Sequence, residues 1–450
     1  MAMNNLEHWA ALAEKSSSID NELYAKFDVK RGLRNADQTG VLVGLTNVGT
    51  VVGVEKTEGG TVPVQGRLEY RGIGIDKIVH GFQQDKRQGY DETVYLLLFG
   101  KLPTSTELLE FSTYLAQQRY LPQYFTKDMI LSFRGRDVMN MLARSVLSLY
   151  TLDENPDDVS TANLLRQSLS LIAKFPAIVA YSFHGMRYHY MNKTLVIRHP
   201  KPELSSAENF LYMLKGGNRY SSLEVEILDL MLVLHAEHGG GNNSSFTTHV
   251  VSSSLTDTYS AIAAALGSLK GPLHGGANIK VMAMVDDIKS NVRNWDSEKE
   301  VSDYLRKILD KKAFDGSGKI YGLGHAVYTL SDPRAILLKE KARDIAQEKN
   351  KIDEFNLYDM IEKLAPDLFN EHKGDGKVIA PNVDFYSGFV NCALDIPPQI
   401  YTPLFAMSRI AGWCAHRIEE INSAKRIIRP AYKAVGPKID YQPLGSRELK

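Results

Sequence analysis

Helical periodicity covers most of this chain and constrains its fold more than any other feature. From about Lys77 onward, apolar residues recur at three- and four-residue spacing, for example over residues 91–99, 106–120 and 135–149. Residues 223–238 form a long apolar segment of the same kind, followed by three consecutive glycines. No segment repeats at a fixed period, which argues against a solenoid. The sequence therefore predicts a mainly α fold.

The N-terminal region has a different pattern. Residues 4–27 predict an amphipathic helix. Residues 41–45, 51–54 and 67–70 are short runs rich in β-formers and are separated by glycines. We expect these three runs to form a small N-terminal β-sheet.

Local composition predicts two helical domains. Residues 286–390 are more charged than their surroundings and contain amphipathic patterns at 299–312, 333–349 and 354–364, with a predicted loop at 373–376. The chain is apolar again after Leu394 and then basic near its end. We expect a large helical domain built from residues 1–285 and 391–450, with a smaller helical domain, residues 286–390, inserted in it.

Overall charge excludes some classes of partner. Lys plus Arg and Asp plus Glu both number 53, so nothing global favours nucleic acid or an anionic membrane. The two cysteines, Cys392 and Cys414, are too few for a disulfide framework and favour a reducing compartment. No apolar run reaches the roughly 18–20 residues of a membrane span, and the N-terminus lacks a presequence pattern. These features predict a cytoplasmic protein.

A glycine-rich turn, G-S-L-K-G-P-L-H-G-G-A-N at residues 267–278, holds one titratable side chain, His274. We expect His274 at the N-terminus of the next helix, where the helix dipole favours a neutral ring able to donate a hydrogen bond. Gly275 and Gly276 would let the backbone approach a ligand. The alternative is a Gly-Pro turn that carries an incidental surface histidine.

A second stretch, H-A-E-H-G-G-G-N-N-S-S, starts at His235. His235 and His238, three residues apart on one helix face, could ligate zinc. The common H-E-x-x-H pattern has a different spacing, however. The imidazoles could instead bind an anion beside the glycine turn, or simply face the negative end of the helix.

A third stretch runs from Tyr321 to Arg334 and reads Y-G-L-G-H-A-V-Y-T-L-S-D-P-R. Asp332 and Pro333 predict a helix N-terminus. Arg334 in the first turn opposes the helix dipole, a conflict of about 0.3–1 kcal/mol that a bound anion would relieve. Gly322 and Gly324 would let a ligand lie against the backbone.

The last candidates are Asp384, Arg409 and Arg429. Asp384 is either a helix N-cap or, because apolar residues flank it, a general base with a raised pKa. An arginine on an apolar segment needs an anionic partner. Imidazoles, arginines and one carboxylate suit proton abstraction beside a carbonyl and addition to an anionic acceptor. No G-x-S-x-G nucleophile motif is evident.

Taken together, these stretches resemble the citrate synthase family. The motifs H-A-E-H-G-G-G-N-N-S-S, G-P-L-H-G-G-A-N, G-L-G-H-A-V-Y-x-x-x-D-P-R and N-V-D-F-Y-S-G occur in the family's order, followed by F-A-M-S-R-I-A-G-W and R-P. They span residues 223–430, and Y-R-G-I at residue 70 matches further upstream. The resemblance implies formation of citrate from acetyl-CoA and oxaloacetate, with no metal or redox cofactor.

The resemblance also implies a role for each matching residue. Asp384 would take a proton from the acetyl methyl group, neutral His274 would donate a hydrogen bond to the thioester oxygen, and His325 would protonate the oxaloacetate carbonyl. The carboxylates of oxaloacetate would be held by four residues: His238, Arg334, Arg409 and Arg429. Hydrolysis of citryl-CoA would then release CoA.

Assembly and the CoA site follow from the same resemblance. Arg429 would come from the partner subunit, which implies an intertwined homodimer with shared active sites. The smaller domain would close over oxaloacetate. The backbone of four residues would face the adenine of CoA: Tyr321, Gly322, Leu323 and Gly324. Ala326 departs from the arginine that many bacterial members have there, which weakens any transfer of contacts to the CoA phosphates.

Three other functions compete with this interpretation. The nearest is 2-methylcitrate synthase, which prefers propionyl-CoA, because one methylene changes specificity by only about 1–3 kcal/mol. A metal-dependent hydrolase using His235 and His238 is the second, and a non-catalytic helical scaffold is the third.

Overall fold

The computed structural model describes residues 2–447 except residues 36, 38, 374–377 and 424. It confirms a mainly α fold with a small N-terminal sheet. The helices are α1 (Ala2–Ser17), α2 (Glu22–Lys26), α3 (Ile75–Gln84), α4 (Tyr90–Phe99), α5 (Ser105–Gln118), α6 (Gln123–Phe125), α7 (Val138–Leu149), α8 (Thr161–Met191), α9 (Ser206–Lys215), α10 (Ser222–His235), α11 (Asn243–Ser252), α12 (Thr258–Lys270), α13 (Ala277–Asn291), α14 (Glu298–Leu309), α15 (Pro333–Glu348), α16 (Ile352–Lys373), α17 (Val383–Ala393) and α18 (Tyr401–Ser423). A π-helical turn spans Thr126–Leu131.

The antiparallel sheet contains β1 (Gly49–Thr57), β2 (Gly60–Tyr70) and β3 (Ile73–Gly74), in the order β1-β2-β3. Pairing of β1 with β2 shifts register between Val52 and Val54, which places a bulge next to Gly53. The predicted strand at residues 41–45 is wrong, because this segment is irregular and exposes Leu42 and Leu45 to solvent. Without neighbouring backbone to pair with, its β-forming side chains do not make a strand.

The core is built around α18, which packs against α8, α10, α11 and α12. Side-chain caps fix where several helices begin: Thr104 and Glu107 form a capping box at α5, and Ser160 caps α8. A cap of this kind contributes about 1 kcal/mol. Residues 4–27 form two helices, α1 and α2, rather than one. The predicted loop at residues 373–376 lies outside the described residues except for Lys373, which ends α16.

The longest helix, α8, is 31 residues long and apolar enough to cross a membrane by length and composition. Its presence contradicts the expectation that no segment reaches that threshold. However, 83% of its most apolar window is buried inside the protein. A helix that is apolar on all sides is typical of a core position, and α8 packs against α5, α7, α9 and α18.

The β1–β2 hairpin packs directly on the loop between His325 and α15. A Cβ built on Gly66 would lie 2.8 Å from Cδ1 of Tyr328 and 3.1 Å from Cδ of Pro333, and closer still to the carbonyl oxygen of Ser331. The Ser331 hydroxyl accepts a hydrogen bond from the amide of Gly66 at 3.1 Å. On the other strand, the backbone of Val327 fills the position that a Cβ of Gly53 would need. These two glycines therefore allow the sheet to support the loop.

Candidate active site

The rings of His238, His325 and Tyr328 form a compact cluster. The ring centroid of His238 lies 5.1 Å from that of His325 and 5.4 Å from that of Tyr328. His325 stacks on Tyr328 with centroids 4.8 Å apart. The structure thus brings together two motifs that are almost 90 residues apart in the sequence. His238 is in the loop after α10, whereas His325 is in the loop before α15.

His325 is held as a neutral ring with a defined tautomer. Its Nδ1 accepts hydrogen bonds from the amides of Val327 and Tyr328, at 3.0 and 3.1 Å. Because Nδ1 accepts, the proton of the neutral ring is on Nε2. Burial, with a further contribution from the Arg334 charge, lowers the pKa of His325 to about 4. The ring therefore offers one N–H donor at neutral pH.

The Asp332 carboxylate connects Arg334 with the helix that carries Asp384. Oδ1 accepts from the amide and Nε of Arg334, both at 3.0 Å. Oδ2 accepts from Nη2 of Arg334 at 2.8 Å and from the amide of Val383 at 3.1 Å. Asp332 is also the N-cap of α15, as predicted. The predicted conflict between Arg334 and the helix dipole is thus relieved within the protein, by Asp332.

Arg409 is a buried cation with unused donors. It is fully buried on α18, and its Nε donates to the carbonyl oxygen of His235 at 2.5 Å. Within the described part of the chain, Nη1 and Nη2 have no hydrogen-bond partner. Burial lowers the pKa of Arg409 to about 10, opposed mainly by the negative charge of Glu237. A buried guanidinium with two free nitrogens is suited to bind a carboxylate.

Asp384 has the properties of a general base. It is the second residue of α17, whose N-cap is Asn382, so the alternative interpretation of Asp384 as the N-cap is wrong. Burial raises the pKa of Asp384 to about 6, against the lowering effect of the Arg334 charge. A carboxylate with a pKa near neutrality is a better proton acceptor than an ordinary aspartate.

His274 is neutral, but for a different reason from the predicted one. It lies in the turn before α13, which begins at Ala277, and so is not within the helix. Burial, followed by the charge of Arg409, lowers its pKa to about 4. Its Nε2 is 3.0 Å from the hydroxyl of Ser244, which also accepts from the indole of Trp413 at 3.1 Å.

The glycine beside His274 is explained by packing within the protein. A Cβ on Gly275 would meet the carbonyl oxygen of Leu269 and lie 2.7 Å from the Thr402 methyl group. Thr402 also donates to the carbonyl oxygen of Gly275 at 2.9 Å. The space that we expected a ligand to occupy at Gly275 is therefore filled by the end of α12 and by α18.

The segment Tyr321–Gly324 is joined to the start of α17. The amide of Asn382 donates to the carbonyl of Gly322 at 2.9 Å, and its side-chain nitrogen donates to that of Gly324 at 2.8 Å. Gly322 and Gly324 both have φ of +83°, a conformation that favours glycine. A Cβ on Gly322 would collide with Phe385, whereas Gly324 has only the Ile379 side chain nearby, at 3.7 Å. Of the two glycines, Gly324 is the more open to a ligand.

Two residues that the sequence singled out, Arg429 and His235, do not have the surroundings that the sequence predicted. Arg429 is exposed, in the extended segment after α18, and not on a buried apolar face. His235 is buried, and its Nδ1 donates to the carbonyl oxygen of Met231 at 2.8 Å. Since α10 ends at His235, the premise that His235 and His238 share one helix face is wrong. Two carbonyl oxygens in the last turn of α10 accept hydrogen bonds from other segments, one from the hydroxyl of Tyr70 and one from the guanidinium of Arg409. Over residues 2–447, outside the gaps, no group of three or more His, Cys, Asp or Glu could hold a metal ion.

Sequence reasoning missed the roles of Asp332 and Ser244. Asp332 was interpreted only as a helix cap, although an aspartate two residues before a buried arginine also suggests an ion pair. Ser244 follows the glycines of the second motif, and nothing in its spacing indicates that it would contact His274. The contact forms because α11 begins with Asn242 as its N-cap and faces the turn of His274.

Comparison with known proteins agrees with this arrangement. The family model described as citrate synthase, C-terminal domain, matches residues 38–431. The citrate synthase of Synechocystis sp. is 36% identical over 388 residues, which cover 85% of this chain and 88% of the relative. The 2-methylcitrate synthase of Shewanella oneidensis is 30% identical over 377 residues, covering 84% and 91%.

Solved structures show the same fold. The ternary complex of Thermoplasma acidophilum citrate synthase with carboxymethyl coenzyme A and oxaloacetate superimposes with a TM-score of 0.75 and 27% identity, over 93% of this chain and 99% of that chain. The match of the family model and the identity to curated relatives both extend over most of the chain. The chain therefore belongs to the citrate synthase family.

Proposed function

We propose a division of roles for the citrate synthase activity that family membership assigns to this chain: condensation of acetyl-CoA with oxaloacetate and water to give citrate and CoA. One observation carries the assignment. Three imidazoles with lowered pKa values and an aspartate with a raised pKa each feel the charge of Arg334 or Arg409, and Arg409 has two nitrogens without a partner among the described residues. This set can remove a proton beside a carbonyl while it holds a dicarboxylate.

Enolisation is the first step. Asp384 removes a proton from the acetyl methyl group. With a pKa of about 6, its carboxyl group is ionised at neutral pH, and it is a stronger base towards the weakly acidic methyl group than an ordinary aspartate. His274 donates a hydrogen bond to the developing enolate oxygen, a contact typically worth about 10²–10³ in rate. This role requires a proton on Nδ1 of His274, so that the Ser244 hydroxyl donates to Nε2, 3.0 Å away, instead of to Oδ1 of Asn242, 2.9 Å away.

Carbon–carbon bond formation follows. The enolate carbon attacks the oxaloacetate carbonyl, and the carbonyl oxygen takes a proton from Nε2 of His325. The amides that bind Nδ1 fix the proton on Nε2, so the ring is oriented as a donor before substrate arrives. Water then hydrolyses citryl-CoA and releases citrate and CoA. The chemistry uses no metal or redox cofactor; acetyl-CoA enters as a substrate.

Oxaloacetate binds through Arg409, Arg334 and His238. The free nitrogens of Arg409 pair with one carboxylate. Arg334 is already paired with Asp332 through Nε and Nη2, so it contributes positive charge and its remaining N–H donors. Nε2 of His238 is buried and has no partner among the described residues. Burial keeps the pKa of His238 well below its usual value, so the ring is neutral.

Closure of residues 286–390 over oxaloacetate would create the acetyl-CoA site and exclude water. The backbone of Tyr321–Gly324 would face the adenine, with open Gly324 allowing close approach. Hydrogen bonds from Asn382 to this segment tie the CoA site to the helix of Asp384. Ligand binding at residues 321–324 would therefore position the base.

A homodimer with shared sites would account for Arg429. This residue is exposed and extends away from α18, so it is available to a neighbouring subunit. It would complete the oxaloacetate site of that subunit. We place the enzyme in the cytoplasm, as the reducing environment indicated by its two free cysteines favours.

Thiol release tests the proposal. CoA is measured after mixing the enzyme with acetyl-CoA or propionyl-CoA, with and without oxaloacetate. We expect release only when oxaloacetate is present and a higher kcat/KM for acetyl-CoA. Release that does not depend on oxaloacetate would contradict the assigned roles. The second candidate activity for this chain is 2-methylcitrate synthase, because one relative has that name. A higher kcat/KM for propionyl-CoA than for acetyl-CoA would establish it.

A further inference from the structure

Four side chains that the proposed mechanism does not use, three of them buried and one (His249) 12% exposed, form a continuous hydrogen-bonded chain. Oε1 of Glu237 is 2.9 Å from Nε2 of His416. Nδ1 of His416 is 3.1 Å from Nε2 of His249, and Nδ1 of His249 is 2.7 Å from Oε2 of Glu420. We call these four residues the Glu237 relay. Glu237 and His416 are fully buried, and Glu420 is 8% exposed at the outer end.

The hydrogen bonds of the relay fix its proton count. A carboxylate only accepts hydrogen bonds, so each outer contact needs an N–H from an imidazole. The contact between the two imidazoles needs one further proton. Three protons on two rings make one imidazolium and one neutral imidazole. The relay therefore holds one extra proton, shared between the two rings, and its net charge is −1 rather than −2; burial lowers the pKa of His249, which favours release of this proton as pH rises.

The inner end of the relay reaches the proposed oxaloacetate site. Glu237 immediately precedes His238, and its charge is the main one that opposes the effect of burial on Arg409. Oε2 of Glu237 has no hydrogen-bond partner in the described residues. Gly412, one turn after Arg409, has no Cβ and leaves room for this oxygen. The negative charge of Glu237 thus acts electrostatically on the cation that would bind the substrate.

We propose that the Glu237 relay stores a proton that strengthens the binding of the dicarboxylate substrate at Arg409, with Glu237 and His416 as positioning residues. The inference rests on the proposed role of Arg409. With the proton in place, the positive charge on His416 or His249 compensates Glu237, and Arg409 attracts the substrate strongly. When the proton leaves, the negative charge of Glu237 is no longer compensated. It then reduces the positive potential at Arg409, so the substrate carboxylate binds more weakly.

Other charged or titratable groups also face the relay. They are Arg409 and Glu419 on α18, His238 in the loop after α10, and Tyr70 and Arg71 at the end of β2. Glu419 is 3.9 Å from Nδ1 of His416, but it accepts its hydrogen bonds from Thr46 and Asn47. Arg71 donates to the carbonyl of Leu97. The hydroxyl of Tyr70 hydrogen-bonds the main chain of Glu237 but not its carboxylate, so these groups contribute a fixed background to the proton that the relay holds.

The sign of the pH effect follows from the charges. The relay keeps its extra proton at low pH and loses it as pH rises. KM for oxaloacetate should therefore rise with pH, by about three- to tenfold across the transition, while kcat changes only with the ionisation of Asp384. Glu420→Gln preserves a hydrogen-bond acceptor but removes one of the two charges that hold the proton. The rise in KM should then begin about one pH unit lower.

The experiment measures kcat and KM for oxaloacetate against pH in the wild type, Glu420→Gln and Glu419→Gln, with thermal melts to confirm folding. Glu419→Gln removes the same charge from the same helix, but Glu419 makes no hydrogen bond to the relay and is 3.9 Å from Nδ1 of His416, so its profile should shift less than that of Glu420→Gln. An unshifted profile in Glu420→Gln, or an equal shift in both variants, overturns the relay. The Arg409→Lys variant tests the proposed substrate role of Arg409 separately from the relay. An unchanged KM for oxaloacetate in this variant would contradict the substrate role of Arg409.

Discussion

Replacing Gly66 by alanine should slow catalysis although Gly66 touches no substrate in the proposed mechanism. The added Cβ would lie 2.8 Å from Cδ1 of Tyr328 and 3.1 Å from Cδ of Pro333, and closer still to the Ser331 carbonyl oxygen. Ordinary contacts between carbon and a carbonyl oxygen are about 3.3–3.6 Å. Because the contact with the Ser331 carbonyl oxygen is the tightest, the hairpin and the loop must separate by more than about 1 Å there.

That separation acts on both ends of the loop, because His325 and Arg334 flank the contact. Misplacing reacting groups by about 1 Å costs on the order of 10²-fold in rate. We therefore expect kcat to fall about 10- to 100-fold in Gly66→Ala. Overpacking should also reduce the free energy of unfolding by about 1–3 kcal/mol, which leaves most of the enzyme folded at assay temperature.

Gly59→Ala in the turn of the same hairpin is the matched control. The nearest atom to its added Cβ is Oγ1 of Thr57, at 4.0 Å. Steady-state kinetics and thermal melts are compared for both variants. We expect wild-type kinetics from Gly59→Ala. If Gly66→Ala matched it in kcat and KM, the hairpin would not position the loop and the reasoning would be wrong.

Three further predictions concern the proposed site residues. Asp384→Asn should abolish turnover while oxaloacetate still binds; in the wild type, kcat should fall as pH drops through about 6, the pKa of this carboxyl. Folding raises the pKa of Asp384, so the free energy of unfolding of the wild type falls as pH rises from the unfolded-state pKa to about 6 and stays lower above it. Asparagine carries no charge at any pH, so Asp384→Asn should melt at a higher temperature than the wild type above about pH 6. Arg409→Lys keeps the charge but loses the planar fork, and should raise KM for oxaloacetate about 30-fold or more in steady-state assays. Arg429→Ala should weaken oxaloacetate binding, and mixing it with Asp384→Asn should restore part of the activity in mixed dimers; if no mixture recovers activity, Arg429 does not act across subunits.

The sequence predicted the elements and the residue types of the site better than their surroundings. Helical periodicity is local, so most helices were predicted within a few residues. The neutrality of His274 was predicted from a helix dipole, yet burial and Arg409 cause it. Burial depends on segments distant in the chain, which periodicity does not report. For the same reason, the partnership of Asp332 with the amide of Val383 could not be predicted.

The strand at residues 41–45 shows the complementary limit. β-forming side chains make a strand only where another strand offers hydrogen bonds, and tertiary context decides that. Likewise, the end of α10 at His235 depends on Tyr70 and Arg409, which occupy its last carbonyls. The first error concerns whether an element forms and the second where an element ends, and contacts from remote segments decide both.

The position of Asp332 has a consequence for the order of events during turnover. Its carboxylate binds Arg334 and the amide of Val383 together, so a ligand that attracts Arg334 also changes the charge at the start of the helix of Asp384. Oxaloacetate would in this way prepare the base before the thioester is at risk. Acetyl-CoA is an energy-rich compound, and its futile hydrolysis in the absence of an acceptor would waste metabolic energy. A single buried aspartate would thus help to couple the consumption of one substrate to the presence of the other.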